Sequence, residues 1–195
     1  MHRSWIILGC IMASSMVSAT ERKVDFHTNT LNSIFCSVPV PEAWDVYDRS
    51  THASSSWIIT PDDLNKAHYN TGVRIDTVSN AKINTGVIAS KWVEDRIQNK
   101  STSLPIVSLE TGPTNDYFRV IRLVTQEVYS PGRTEYVSYR RIYSWFWNDE
   151  HDVVICMEAQ TPEKSWSRMA PVLERIGKLE FNVSEWKKKL KKTEE

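Results

Sequence analysis

A surplus of charge is the first thing this sequence lacks: Lys and Arg number 24, Asp and Glu also 24, and the formal net charge is +0. No global field therefore draws the chain to nucleic acid or to an anionic membrane, and any binding has to come from local patches. Chemical motifs are missing too. There is no Gly-x-Ser-x-Gly elbow, no phosphate-binding glycine loop, no Cys-x-x-Cys pair and no His-Glu-x-x-His helix, so the legible signatures of acyl transfer, nucleotide binding, thiol exchange and zinc chemistry are all absent. A hydrophobic run long enough to cross a bilayer, about 20 residues for ~30 Å of hydrocarbon, is also absent. Neither internal repeats nor a low-complexity linker divides the chain. At 195 residues it is long enough for one well-buried core.

What is present begins with Met1-His2-Arg3, an apolar run from Trp5 to Val17, and small residues up to Ala19 before polar Thr20-Glu21-Arg22-Lys23. These are the parts of a secretory signal peptide cleaved after Ala19, and they predict export to a periplasm or the cell exterior without stable membrane insertion. The apolar run before Cys10 is too short to serve as a lipoprotein signal core. Removing residues 1–19 leaves Cys36 and Cys156 in a compartment where disulfides persist. A bridge would close a long loop worth ~4 to 5 kcal/mol in the chain-entropy model. Two small thiols buried on separate strands is the favoured alternative. Asn99-Lys100-Ser101 and Asn182-Val183-Ser184 fit the glycosylation pattern, which matters only in a eukaryotic secretory pathway.

Along the mature chain the expected order is a peripheral strand from Ile34 to Pro41, with Pro39 suited only to an edge or strand end, then strands at Ser56–Thr60 and Val73–Thr77 separated by a long polar loop from Asp62 to Gly72. A helix from Ser79, read as its N-cap, to Lys100 carries Ile83, Val87, Val93 and Ile97 at helical spacing, with Ile88 and Trp92 widening the stripe. An antiparallel meander follows at Tyr117–Tyr129, Glu135–Trp147 and Val153–Gln160, joined by turns at Ser130–Arg133 and Asn148–Asp152. A second helix from about Pro162 carries Trp166, Met169, Leu173 and Ile176, has Pro171 inside it, and ends at Gly177. Lys178–Phe181 is a last edge strand. The domain is expected over residues 20–183, with a frayed basic tail over 184–195.

Trp145-Phe146-Trp147 invites reading as a ligand platform, but parity argues for core. Tyr139, Arg141, Tyr143, Trp145 and Trp147 share one face of a strand, whereas Arg140, Ile142 and Phe146 share the other. In the next strand Val153, Ile155, Met157 and Ala159 oppose Val154 and Cys156. Apolar groups on both faces mean a sheet covered on both sides. The fold class is therefore α+β: an antiparallel meander with helices on both faces, a three-layer α/β/α sandwich.

The element order, with the Pro41-Glu42-Ala43-Trp44 turn after the first strand, a Gly-preceded strand, a helix, a meander, and a last helix running into Leu179-x-Phe181, resembles the PsbP-like fold. That fold is shared by photosystem II PsbP, a Ran-binding nuclear-import factor and exported bacterial proteins. The resemblance spans Ile34 to Asn182 and is one of fold. It implies protein binding rather than catalysis. No interaction residue of the family maps onto a motif here.

The candidate interface residues are Arg119, Arg122, Arg140 and Arg141, interleaved with Tyr139 and Tyr143, because stacking and bidentate hydrogen bonding suit a partner surface or an anion. The plainer reading has them capping carboxylates at the sheet margin. Asp149-Glu150-His151-Asp152 lacks the spacing of a calcium loop and reads as a solvated turn, and His27, His52 and His68 read as isolated surface residues. Asp62-Asp63 reads as a turn start, not as paired acids. No cofactor or metal is implied. The function expected first is that of an exported, non-catalytic protein-binding domain, in a sharper form an immunity-type antagonist of a secreted effector. The alternatives are a binder of a small amphiphilic or aromatic ligand near Trp92, Trp145 and Trp147, and an unrecognised hydrolase.

Overall fold

The computed structural model describes residues 24–52, 54–65, 69–112, 117–129 and 136–191. The signal segment with Ala19, Cys10, His68 and the turn at 130–133 lie outside them. Along the chain, β1 (Phe26–Leu31) and β2 (Cys36–Pro41) form a hairpin, and β3 (Asp45–Asp48), β4 (Ser56–Thr60) and β5 (Gly72–Ser79) follow. Next come α1 (Ala81–Thr85), α2 (Ala89–Ser103), β6 (Ile106–Thr111), β7 (Arg119–Tyr129), β8 (Val137–Asn148) and β9 (Val153–Pro162), then α3 (Trp166–Ile176), β10 (Glu180–Phe181) and α4 (Val183–Lys191).

Seven strands form one antiparallel sheet in the order β3-β4-β5-β9-β8-β7-β6, and three form a second, β1-β2-β10. The meander is present where alternation placed it, with Trp145 of β8 opposite Ile121 on β7 and Cys156 on β9. Parity holds through both strands. Tyr143, Trp145 and Val154 pack with Ala89 and Val93 of α2 on one face. Ile142, Phe146, Ile155 and Met157 pack on the other with Val38, Val40, Leu173 and Ile176. Each face buries apolar side chains at roughly 25 cal/mol per Å² removed from water, which is why alternation with polar residues is missing from these strands. Helices α1 and α2 cover the first face. The second is covered by α3 together with the small sheet, a layer not anticipated.

Several expectations are corrected. The helix drawn from Ser79 to Lys100 is two helices: Ser79 ends β5 opposite Val153, Asn80 takes the left-handed conformation before α1, and Gly86 at φ 82° stops it. A positive φ suits glycine, and Ile83, counted in the apolar stripe, is 83% exposed. The first strand starts at Cys36, because Ile34 lies in a 3₁₀ turn and Phe35 sits at φ 45°. It is the middle strand of its sheet, and Pro39 is tolerated there because β10 reaches only as far as Ser37. The supposed tail is helical to Lys191, with Trp186 only 4% exposed and its indole N–H donating to the Ile34 carbonyl at 2.7 Å, so a domain boundary at 183 leaves out a core residue. Strands β1, β3 and β6 had no counterpart in the sequence reading.

Both described cysteines are free. Cys36 belongs to the core between the two sheets, whereas Cys156 packs with the α2 cluster on the far face of the larger sheet.

Candidate functional site

The polar end of β8 carries the best-built cluster. Arg141 donates to Glu158 Oε1 at 2.9 Å and lies 3.3 Å from Glu127 Oε2. The Tyr143 hydroxyl donates to Glu127 Oε1 at 2.7 Å, Thr125 donates to the same oxygen at 2.9 Å, and the Lys100 ammonium sits 3.8 Å from the Tyr143 ring centroid. Burial pushes the Glu158 carboxyl and the Tyr143 hydroxyl up and the Lys100 ammonium down. Beside the cluster, residues 69–71 are fastened to the sheet. Tyr139 donates to Asn70 Oδ1 at 2.8 Å and Gln160 to the Tyr69 carbonyl at 2.8 Å. Asp62 accepts from the backbone N–H of Asn70 and Thr71, and Asp63 from that of Asn65. The two aspartates are thus loop fasteners, and Gly72 is required where a Cβ would stand 2.6 Å from the Ile59 carbonyl.

The four arginines do not form one surface. Arg140, on the opposite face from Arg141, makes a two-pronged bond to Glu163 at 3.1 and 2.6 Å and stacks 5.0 Å from the Trp166 ring centroid. Arg122 on that same face bonds Glu174 of α3 at 3.2 Å. Arg119 is exposed and makes no ion pair among the described residues. It borders a cleft of about 200 Å³ with Tyr117, Trp147 and Asp149. Three of the four therefore hold sheet, loop and helix together through carboxylates, and Tyr139 and Tyr143 are buried.

The acidic turn after β8 is tied to both helices on that face. Asp149 Oδ1 accepts from the Ser90 backbone N–H at 2.7 Å and Asp152 Oδ2 from that of Lys82 at 2.6 Å, so one turn caps the N-termini of both α2 and α1. Among the described residues no three His, Cys, Asp or Glu converge as a metal set. His27 lies 3.8 Å from Glu42 and, like His52, is exposed at the surface. Burial pushes both thiols up to about 12, which disfavours the thiolate a nucleophile needs. Asn99 lies on α2, and Asn182 Oδ1 accepts from the Glu185 N–H at the start of α4.

The aromatic triplet is core. Trp145 is 4% exposed and stacks on Tyr143 at 5.8 Å, while Trp147 is half-buried beside the small cleft. The larger opening is on the other face: a cleft of about 490 Å³ between α3 and β6. Its floor is Val120, Ile142, Ser144, Phe146, Met157 and Leu173, and Glu110, Arg122, Glu174, Lys178 and Glu180 stand at the rim. Sequence reasoning missed this cleft. Its one local signal is Ser144, a small residue between Ile142 and Phe146 at the same parity, which lowers the floor there.

Two solved structures share this architecture. The cyanobacterial PsbP (CyanoP) of Synechocystis sp. PCC 6803 superposes with a TM-score of 0.51 at 10% identity, covering 82% of this chain and 94% of that one. The Saccharomyces cerevisiae Ran-binding protein Mog1p does so with a TM-score of 0.51 at 9% identity, covering 81% and 96%. At such identities the likeness is one of fold, and the chain has the PsbP-like fold that its element order resembled. No family model and no curated protein matches the sequence.

Proposed function

We propose that this chain is an exported, non-catalytic domain that works by binding another protein, in its sharper form an antagonist of a secreted effector. The observation that carries the reading is the fold, which is also that of a Ran-binding protein. Further support comes from the polar side chains. In the best-built cluster Arg141, Glu127, Glu158 and Tyr143 bond one another, with the buried Arg141 Nε left unpaired, instead of converging on an open cleft, as a catalytic constellation does. Export rests on the Met1 to Ala19 segment, and no described helix is long and apolar enough to cross a membrane. The test is affinity capture from the native envelope with residues 20–195 as bait. A stoichiometric protein partner is expected, and repeated recovery of the bait alone overturns the reading.

A second reading, a small amphiphilic ligand, is favoured by the cleft of about 490 Å³ and its apolar floor. It moves the ligand away from Trp145 to the opposite face. Native mass spectrometry of the purified chain checks it: a co-purifying amphiphile that Ser144→Leu expels supports it, and one retained by that variant, or none at all, removes it.

A further inference from the structure

The two edges of the larger sheet are guarded unequally. At one edge β3 is four residues long and begins and ends with Asp45 and Asp48. Short length and charge both discourage pairing with another strand. At the other, β6 is six residues long and carries one charged residue, Glu110. Its Ile106, Val107 and Leu109 are 44%, 50% and 50% exposed, and no described strand lies on its outer side.

The ladder identifies which backbone groups are free. The Gly112 N–H donates to the Val120 carbonyl at 3.1 Å, so Gly112 faces β7. In an antiparallel pair every second residue does the same, which assigns Glu110 and Ser108 to β7 and turns the N–H and C=O of Leu109 and Thr111 outward. A bulge at Val107 interrupts the register, and the regular stretch is Ser108 to Thr111.

Side chains around this edge are as uneven as its backbone. Leu109, opposite Leu123, projects on the α2 face, whereas Glu110, opposite Arg122, stands at the rim of the large cleft on the other face. Arg122 is already bonded to Glu174, and Glu110 makes no ion pair among the described residues. The rim holds Glu110, Glu174 and Glu180 against Arg122 and Lys178, a surplus of negative charge.

We infer that β6 is the docking edge for an extended segment of a partner protein, added as an eighth strand and carrying a Lys or Arg opposite Glu110. The inference rests on the protein-binding reading above. Outward N–H and C=O groups of Leu109 and Thr111 bond the incoming backbone, apolar side chains of the segment cover Leu109 on one face, and its basic residue meets the acidic rim on the other. Main-chain bonds hold any extended segment, and the alternating apolar and basic positions select among them.

The probe is a phage-displayed library of random decapeptides panned against residues 20–195. Enriched peptides should alternate apolar residues and include Lys or Arg. Leu109→Pro and Thr111→Pro each remove an outward donor while leaving the β7 ladder intact, since proline is tolerated where the strand's N–H faces solvent. Both should keep the thermal midpoint and weaken peptide binding at least tenfold, and Glu110→Lys should shift selection from basic to acidic peptides. Should Leu109→Pro not fold, Thr111→Pro and the charge reversal carry the test. Enrichment of no peptide, or of peptides that bind the proline variants equally, overturns the inference. So does a dimer of the chain that Leu109→Pro dissolves, because the occupant is then a second copy. A native partner captured equally well by Leu109→Pro leaves the protein-binding reading standing and removes only β6. Failure to capture any partner removes the reading itself.

Discussion

Asp149 and Asp152 reach across 59 and 70 residues of sequence to cap helices whose own N-cap positions, Ile88 and Asn80, make no side-chain cap bond. Replacing Asp149 with Ala removes an acceptor and a negative charge from the start of α2 and should cost about 1 kcal/mol, a fall of roughly 2 to 4 °C in thermal midpoint for a domain of this size. Calorimetry of the variant checks it, and an unchanged midpoint contradicts the capping role. Such a role is invisible in the sequence, where the turn reads as solvated because its partners are close only in space. Glu158 makes the second prediction at this scale. Burial raises its carboxyl, with Arg141 and Lys100 pulling it back less strongly. Between the ordinary glutamate value and the raised one, the folded state holds a proton that the unfolded state has released, so this group's contribution to stability is lost as pH rises through that interval. Glu158→Gln removes the titration while leaving Arg141 its contact with Glu127. Urea unfolding from pH 4 to 8 should show the variant gaining on the wild type as pH rises, and a difference that stays flat or moves the other way refutes the assignment.

Elements were legible where a pattern repeated. β7, β8 and β9 were found because each is a run of ten residues or more rich in β-branched and aromatic side chains, and short turns joined them. β3, with four residues, carries too few positions for any period, whereas β10, shorter still, was marked by its place after Gly177 and by Leu179-x-Phe181. The α1–α2 break was hidden because Ile83 and Val87 keep helical spacing across Gly86, yet spacing does not report burial. The last helix was hidden by composition: Lys187, Lys188, Lys189 and Lys191 dominate it, and a single Trp186 anchors it between Phe35 and Phe118. That anchor predicts a large effect for a segment read as a solvated tail. Trp186→Ala should cost about 3 to 5 kcal/mol. Trp186→Phe, which loses only the bond to the Ile34 carbonyl and some packing, should cost about 1 to 3 kcal/mol. Chemical denaturation of both variants measures the order, and an alanine variant as stable as the wild type returns the segment to the status of a tail.

At the scale of the whole molecule, the layers could be inferred from the sequence because both faces of β8 and β9 are apolar, and a sheet wetted on one side does not look like that. The small sheet and the cleft could not. The small sheet is a local β1–β2 hairpin completed by a distant partner, β10, and the cleft is made where α3 meets the sheet beneath it. The cysteines show what the layered arrangement decides that counting does not. A chain whose N-terminus reads as an export signal and which carries two further thiols invites a bridge, and the gain from closing so long a loop would be substantial. Here the larger sheet stands between them: Cys36 faces the core shared with α3, and Cys156 faces α2. A disulfide requires Cα atoms within about 7 Å, and two side chains on opposite sides of a sheet cannot be joined without dismantling a layer. Burial also pushes both thiols up to about 12, so near neutral pH neither offers a thiolate to an oxidant or to a thiol reagent. Residues 20–195 produced in an oxidising compartment should therefore show the mass of two free thiols and the same thermal midpoint with and without reductant. Its reaction with an aromatic disulfide reagent should be slow when folded and fast in denaturant. A mass two hydrogens lower, or a midpoint that falls on reduction, would mean that Cys36 and Cys156 are not on opposite faces, and the layer order described here would fail with them.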